Sequence, residues 1–270
     1  MKVRTSIVVL IVFAVASVNS KNLEAAKPAA CCSNQFECTV NKRCIPLNQK
    51  CNYINNCEEQ EDEKDSLCKE RCYTKYTKYQ SAGGVGGGNV WYLDRQKGSC
   101  NGKDVMQSLQ LERSGKNQQR YKMRCCTWNG NLPTTRRTKH TSWTRPKDIT
   151  GLTGQHIICD GKGEFLHSFI IYGKWQKKKW YSLRKSFYIK YQYTCDKVIS
   201  KSLKMNERSS FTRAASQGNK KTQILDTLDI NCARVDKFGP RWFLTQFKLY
   251  QKRGQVMYGF SCGKMVDKNA

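Results

Sequence analysis

The sequence predicts a mainly β protein: a small disulfide-rich knot followed by a three-repeat antiparallel β domain, closed like a prism or a barrel. Three observations carry this. The chain of 270 residues holds 15 cysteines, all of them after residue 30. Blocks with a period of two, the mark of half-buried strands, recur along the second part of the chain. The charge also divides the chain: residues 21–72 hold 8 basic and 9 acidic side chains, whereas residues 73–270 hold 38 and 12.

Residues 1–20 read as a secretory signal peptide. Lys2 and Arg4 form its positive start, Ile7 to Ala16 its apolar run, and Val18 and Ser20 the small residues before cleavage. The run is shorter than the roughly 20 apolar residues that span a bilayer. No later segment is a better candidate, so a transmembrane segment is not expected and the mature protein is expected to be secreted and extracellular. Dense cysteines fit that oxidising setting.

The knot occupies 31–72. Its cysteines are Cys31, Cys38, Cys44, Cys51, Cys57 and Cys68, with Phe36 two residues before the second, Ile45-Pro46 after the third, and Asp62-Glu63 in an acidic last loop. Fewer than 40 residues cannot bury enough apolar surface to fold without disulfides or metal. This pattern resembles an LDL-receptor class A module. The resemblance implies the pairs Cys31–Cys44, Cys38–Cys57 and Cys51–Cys68. It also implies one cofactor, calcium, held by the side chains of Asn52, Asn56, Asp62 and Glu63 and the carbonyls of Gln49 and Ile54. Asn52 and Asn56 stand where the family usually has Asp. Two carboxylates remain, and calcium affinity rises with ligand charge, so weak binding is the expectation. Gln49 replaces the aromatic residue that the family uses, with acidic side chains, to hold a partner's lysine.

Residues 73–89 end in Ser81-Ala-Gly-Gly-Val-Gly-Gly-Gly-Asn89 and read as a glycine-rich linker. The β domain then spans 90–264. Its three blocks begin Val105-Met-Gln-Ser-Leu109-Gln-Leu111, Phe165-Leu-His-Ser-Phe169-Ile-Ile171 and Phe243-Leu-Thr-Gln-Phe247-Lys-Leu249. Each continues into a basic turn and a closing strand, which ends at Cys125, Cys195 or Cys262, a repeat of about 70 residues. Alternation puts Phe165, Phe169 and Ile171 on one face, and likewise Phe243, Phe247 and Leu249. Cys100, Cys159 and Cys232 precede the blocks. Expected bridges are Cys159–Cys195, Cys232–Cys262, and Cys100 with Cys125 or its neighbour Cys126. Cys32–Cys72 would staple the knot's two ends. The odd count leaves one thiol, free or joining two chains as a covalent dimer. In outline the three units are similar to the prism of vitelline-membrane outer-layer proteins, and Arg120 to Cys126 resembles dermatopontin, a matrix protein.

No hydrolase, zinc-protease or Walker motif occurs. His167 stands where the other blocks have Gln107 and Thr245, so an imidazole is not needed there for the fold. The expected function is therefore non-enzymatic: a secreted binding or matrix protein that recognises polyanions, whether glycosaminoglycan, acidic organic matrix or a biomineral surface. Two alternatives are a secreted defence or toxin protein acting on anionic membranes, and an enzyme whose site has no known motif. Candidate polyanion contacts lie in the three basic turns: Arg113, Lys116 and Arg120; Lys174, Trp175, Lys177, Lys178, Lys179, Trp180, Arg184 and Lys185; Lys252 and Arg253. Cations neutralise anionic groups while the tryptophans stack.

Overall fold

The computed structural model describes residues 31–269, apart from 65–66, 69–71, 84–88, 116, 128–133, 147, 178–184, 217–220 and 235–240. The signal peptide reading and the candidate contacts Lys116, Lys178, Lys179, Trp180 and Arg184 lie outside the described residues. The protein is mainly β. No helix among the described residues is long and apolar enough to cross a membrane.

In the N-terminal module, β1 (Gln35–Glu37) and β2 (Cys44–Pro46) pair antiparallel, with Phe36 opposite Ile45. Phe36 packs on a core of only Cys38, Ile45 and Cys57. Covalent bonds supply what that core cannot: the bridges are Cys31–Cys44, Cys38–Cys57 and Cys51–Cys68.

The rest of the chain forms three units on one plan. The first holds β3 (Cys72–Tyr76), β4 (Gln80–Ser81), a 3-10 turn at Val90–Arg95, β5 (Lys97–Ser99), β6 (Val105–Ser114) and β7 (Gln118–Cys126). The second holds β8 (Thr134–His140), a 3-10 turn at Ile149–Gly154, β9 (His156–Ile158), β10 (Glu164–Lys177) and β11 (Lys185–Val198). The third holds β12 (Leu203–Phe211), β13 (Ala215–Ser216), a 3-10 turn at Thr222–Thr227, β14 (Ile230–Asn231), β15 (Phe243–Lys252) and β16 (Gln255–Asp267). In each unit the last two strands form a hairpin and the first strand adds to its outer side. The short strand before the hairpin leaves its own unit. The sheets therefore run β14-β6-β7-β3, β5-β10-β11-β8 and β12-β16-β15-β9. Unit one lends a strand to two, two to three, and three back to one.

Two local devices make this exchange possible. Gly98 in β5 lies opposite Phe169, where a Cβ would sit 2.6 Å from the ring, so only glycine lets the strand approach. Each first hairpin strand also carries a bulge, between Met106 and Ser108, Leu166 and Ser168, and Leu244 and Gln246. The carbonyls of the bulged residues Gln107, His167 and Thr245 accept the N–H of Cys232, Cys100 and Cys159, which end the borrowed strands. Those cysteines then bridge back to their own hairpins as Cys100–Cys125, Cys159–Cys195 and Cys232–Cys262.

The bulges correct the expected faces. An extra residue reverses the alternation, so Leu166, not Phe165, shares the central core with Phe169 and Ile171. Leu244 does the same beside Phe247 and Leu249, and Met106 beside Leu109 and Leu111. Phe165, Phe243 and Val105 turn into a second cluster, with Tyr53 of the module packed among them. In the central core Phe169 meets Phe247, Tyr121 and Tyr191, and Phe247 also meets Tyr258. Each of these tyrosines receives the same support: the backbone N–H of Tyr121, Tyr191 and Tyr258 donates to Oγ1 of Thr77, Thr141 and Thr212. Burial raises the pKa of all three phenols.

Two further readings are corrected. Cys72 bridges to Cys126 rather than Cys32, because the two face each other across β3 and β7; Cys32 is exposed with a free thiol. Within 73–89, β3 and β4 are not linker but strands paired with β7. The backbone groups of that segment complete a sheet edge.

Candidate anion-binding surface

The module docks on the end of the β domain where β6, β10 and β15 begin. Tyr53 enters the second cluster, the Asn55 N–H donates to Asp267, and Arg241 reaches back to the module. Arg241 is buried, pairs with Glu63 at 3.0 Å, donates to the Glu63 carbonyl and lies 4.1 Å over the Tyr53 ring. Burial outweighs Arg241 and pushes the Glu63 carboxyl up to about 7.

Beside this contact lie the six residues to which calcium is assigned by resemblance, of which Glu63 takes part in it. The Asn56 amide nitrogen lies within hydrogen-bond distance of the Gln49 carbonyl (3.1 Å), the Ile54 carbonyl (2.7 Å), Asn52 Oδ1 (3.1 Å) and Asp62 Oδ2 (3.2 Å), four acceptors for its two N–H groups. A donor thus stands among the oxygens that a cation would need. Asp62 also accepts the N–H groups of Asn56 and Cys57, and Glu63 is committed to Arg241. Calcium takes six to eight oxygen ligands. As arranged here, Gln49, Asn52, Ile54, Asn56, Asp62 and Glu63 are bonded to one another and to Arg241. The neighbouring Glu61 is likewise structural: hydrogen bonds from Thr39 and Val40 lower its pKa.

At the opposite end lie the hairpin turns. Phe165 meets Phe243 at 5.8 Å and Phe169 meets Phe247 at 5.8 Å, so β10 and β15 run side by side in one direction. β6 starts in the same cluster with Val105. The three basic turns therefore leave the domain at the end remote from the module. Their cations are not equivalent. Arg120 is bound to Glu112 at 3.0 Å and stacks on Tyr76 and Tyr79. Arg113 is half-buried and acts on Asp226, whose carboxyl burial raises. Of the first turn's cations, Arg113 and Arg120 are thus held by groups of the protein itself. Lys174, Lys177, Lys185, Lys252 and Arg253 are exposed. Arg253 and Gly254 both take positive φ, 48° and 73°, in the two-residue turn that closes β15 and β16. Trp175 is 54% exposed, with one edge against Trp91 and Phe187.

The sequence reading missed Trp143 and Lys190. Lys174 and Lys190 lie 4.3 and 5.0 Å over the Trp143 ring, beside the second hairpin. The run Ser142-Trp-Thr-Arg145 carries the same basic–aromatic mixture as 173–185 and was the available signal.

The histidine at the second bulge is structural in its contacts. His167 Nδ1 lies 2.8 Å from the Asp104 carbonyl and 3.6 Å from Asp196, which is itself paired with Arg136 at 2.7 Å. Burial is the main cause that lowers its pKa. Compared with known protein families, curated proteins and solved structures, the chain matches none.

Proposed function

We propose that this chain is a secreted, non-enzymatic extracellular protein that binds polyanions such as glycosaminoglycans through its β domain. The N-terminal cysteine pattern, read as an LDL-receptor class A module, serves as a docked cap on that domain. Seven disulfides among the described residues support an oxidising environment. The observation that carries the polyanion reading is the concentration of exposed, uncompensated cations on the β domain, while the module is nearly balanced. A field of that sign attracts polyanions and speeds their encounter. The second hairpin adds Trp175 as an exposed ring surface for stacking.

Charge reversal tests the reading. Lys177→Glu, Lys178→Glu and Lys179→Glu together should shift heparin-column elution to clearly lower salt. Arg43→Glu, Lys64→Glu and Lys103→Glu together change the net charge equally at exposed positions elsewhere. Equal shifts for both sets would contradict a localised contact at the hairpin. The exposed Cys32 thiol is expected to join two chains; non-reducing electrophoresis that shows only monomer would contradict this.

A further inference from the structure

A cavity lies away from the hairpin turns, in the seam between the second and third units. Its volume is about 1110 Å³, just above the ~300–1,000 Å³ typical of small-ligand sites. Its floor is apolar, with Ile158, Leu203, Met205 and Met265. Around it stand Arg137, Lys162, Lys197, Lys201, Lys204 and Lys268. None of these six is in an ion pair among the described residues.

The lining also holds two carboxylates, outnumbered three to one by the six cations. Asp160 shares Lys139 with Glu164, and Glu207 accepts the Thr245 hydroxyl, which positions it while leaving its charge in place. The lysines at the rim are instead tied to carbonyls: Lys268 donates to the Lys201 carbonyl, and Lys204 to that of Lys268 at 3.5 Å. Such bonds fix position without compensating charge. Like charges gathered round one groove repel one another, which opposes folding. Nothing in the packing requires them, since five of the six are exposed and Lys197 is half-buried.

We propose that this groove is a binding site for a linear polyanion, a sulfated glycosaminoglycan chain, distinct from the hairpin contact; it rests on the polyanion reading above. The cations are spread over β8, β11, β12, the connections before β10 and at 199–202, and the residue after β16 rather than gathered at one point. That spacing suits several anionic groups in series. No aromatic side chain lines the groove among the described residues. Recognition here is therefore by charge, in contrast to the tryptophan-bearing hairpin.

Calorimetric titration of the full chain with a heparin oligosaccharide, at several salt concentrations, tests the site. Lys201→Ala, Lys204→Ala and Lys268→Ala together should weaken binding at least about tenfold and lower the salt slope by about three, one per lysine. Arg43→Ala, Lys64→Ala and Lys103→Ala together should leave the slope nearly unchanged. A groove variant with the control's slope and affinity overturns the groove while the polyanion reading stands. If the unaltered chain takes up no heparin oligosaccharide, the reading itself fails and the groove proposal with it. Unchanged circular dichroism and thermal unfolding verify that the substitutions leave the fold intact.

Discussion

The module and the β domain solve the problem of staying folded in opposite ways. The module has three bridges for a core of three residues and one phenylalanine. The β domain has one bridge per unit, plus Cys72–Cys126, around an interleaved core of aromatic and aliphatic side chains. Each bridge limits the unfolded chain by about 2–4 kcal/mol. That sum decides the fate of the module and only adjusts that of the domain. The charge divides in the same place: the nearly balanced module is docked by Tyr53, the Asn55–Asp267 bond and a buried contact of Arg241 with Glu63, and the domain carries most of the cations.

The largest expected effect follows from this difference. Under a reductant, limited proteolysis should cut within 31–68 first, while 90–264 keeps its β circular dichroism. Simultaneous loss of both regions would show that the borrowed strands rely on their bridges as heavily as the module does.

A smaller effect is expected at the clasp between the regions. Glu63→Gln leaves the Arg241 guanidinium buried without its carboxylate, and guanidinium cannot shed its charge. The Glu63 carboxyl is pushed up to about 7, so its neutral form is already well populated there, and Glu63→Gln should cost less than the ~3–5 kcal/mol of breaking a fully charged buried pair. Arg241→Met leaves a carboxyl that can take up a proton, so its cost should also stay below that range. The sign with pH follows from burial. The folded Glu63 carboxyl, at about 7, lies above its ordinary 4.5. Ionisation therefore opposes folding, and this contribution improves as pH falls from above 7 toward 4.5. Urea titrations of both variants and the parent across that range check this; a Glu63→Gln protein with the parent's pH slope would contradict it.

The smallest effect is that of calcium. With Asn56 donating into its own loop, calcium or a chelator should shift the melting temperature by less than the error of the scan. Asn56→Asp removes that donor and adds a carboxylate, so a calcium-dependent shift should appear only in the variant. A large shift in the parent chain would show that the Asn56 amide yields to the ion.

Much of this was legible in the residues. The pairs Phe169/Phe247 and Tyr191/Tyr258 and the spacing of Cys100, Cys159 and Cys232 marked three hairpins, because buried strands leave a period and a bridge leaves a cysteine. The bulges were not legible: one extra residue at His167 keeps the composition and inverts the face. Strand β8, Thr-Thr-Arg-Arg-Thr-Lys-His, shows no alternation because it is a sheet edge exposed on most of its length. The exchange of short strands depends on contacts between residues about 70–120 positions apart, which no local pattern records. At the candidate site the cations were legible but their partners were not. Only the structure separates Arg120, held by Glu112, from Lys201, Lys204 and Lys268 around a groove.

The affinity of the intact chain for heparin, measured from about 50 to about 200 mM salt, tests the central claim most directly. Neutralising several anionic groups releases their counterions, so log affinity should fall linearly with log salt concentration, by a slope of several units. Binding that is absent, or that is indifferent to salt over this range, would contradict the account.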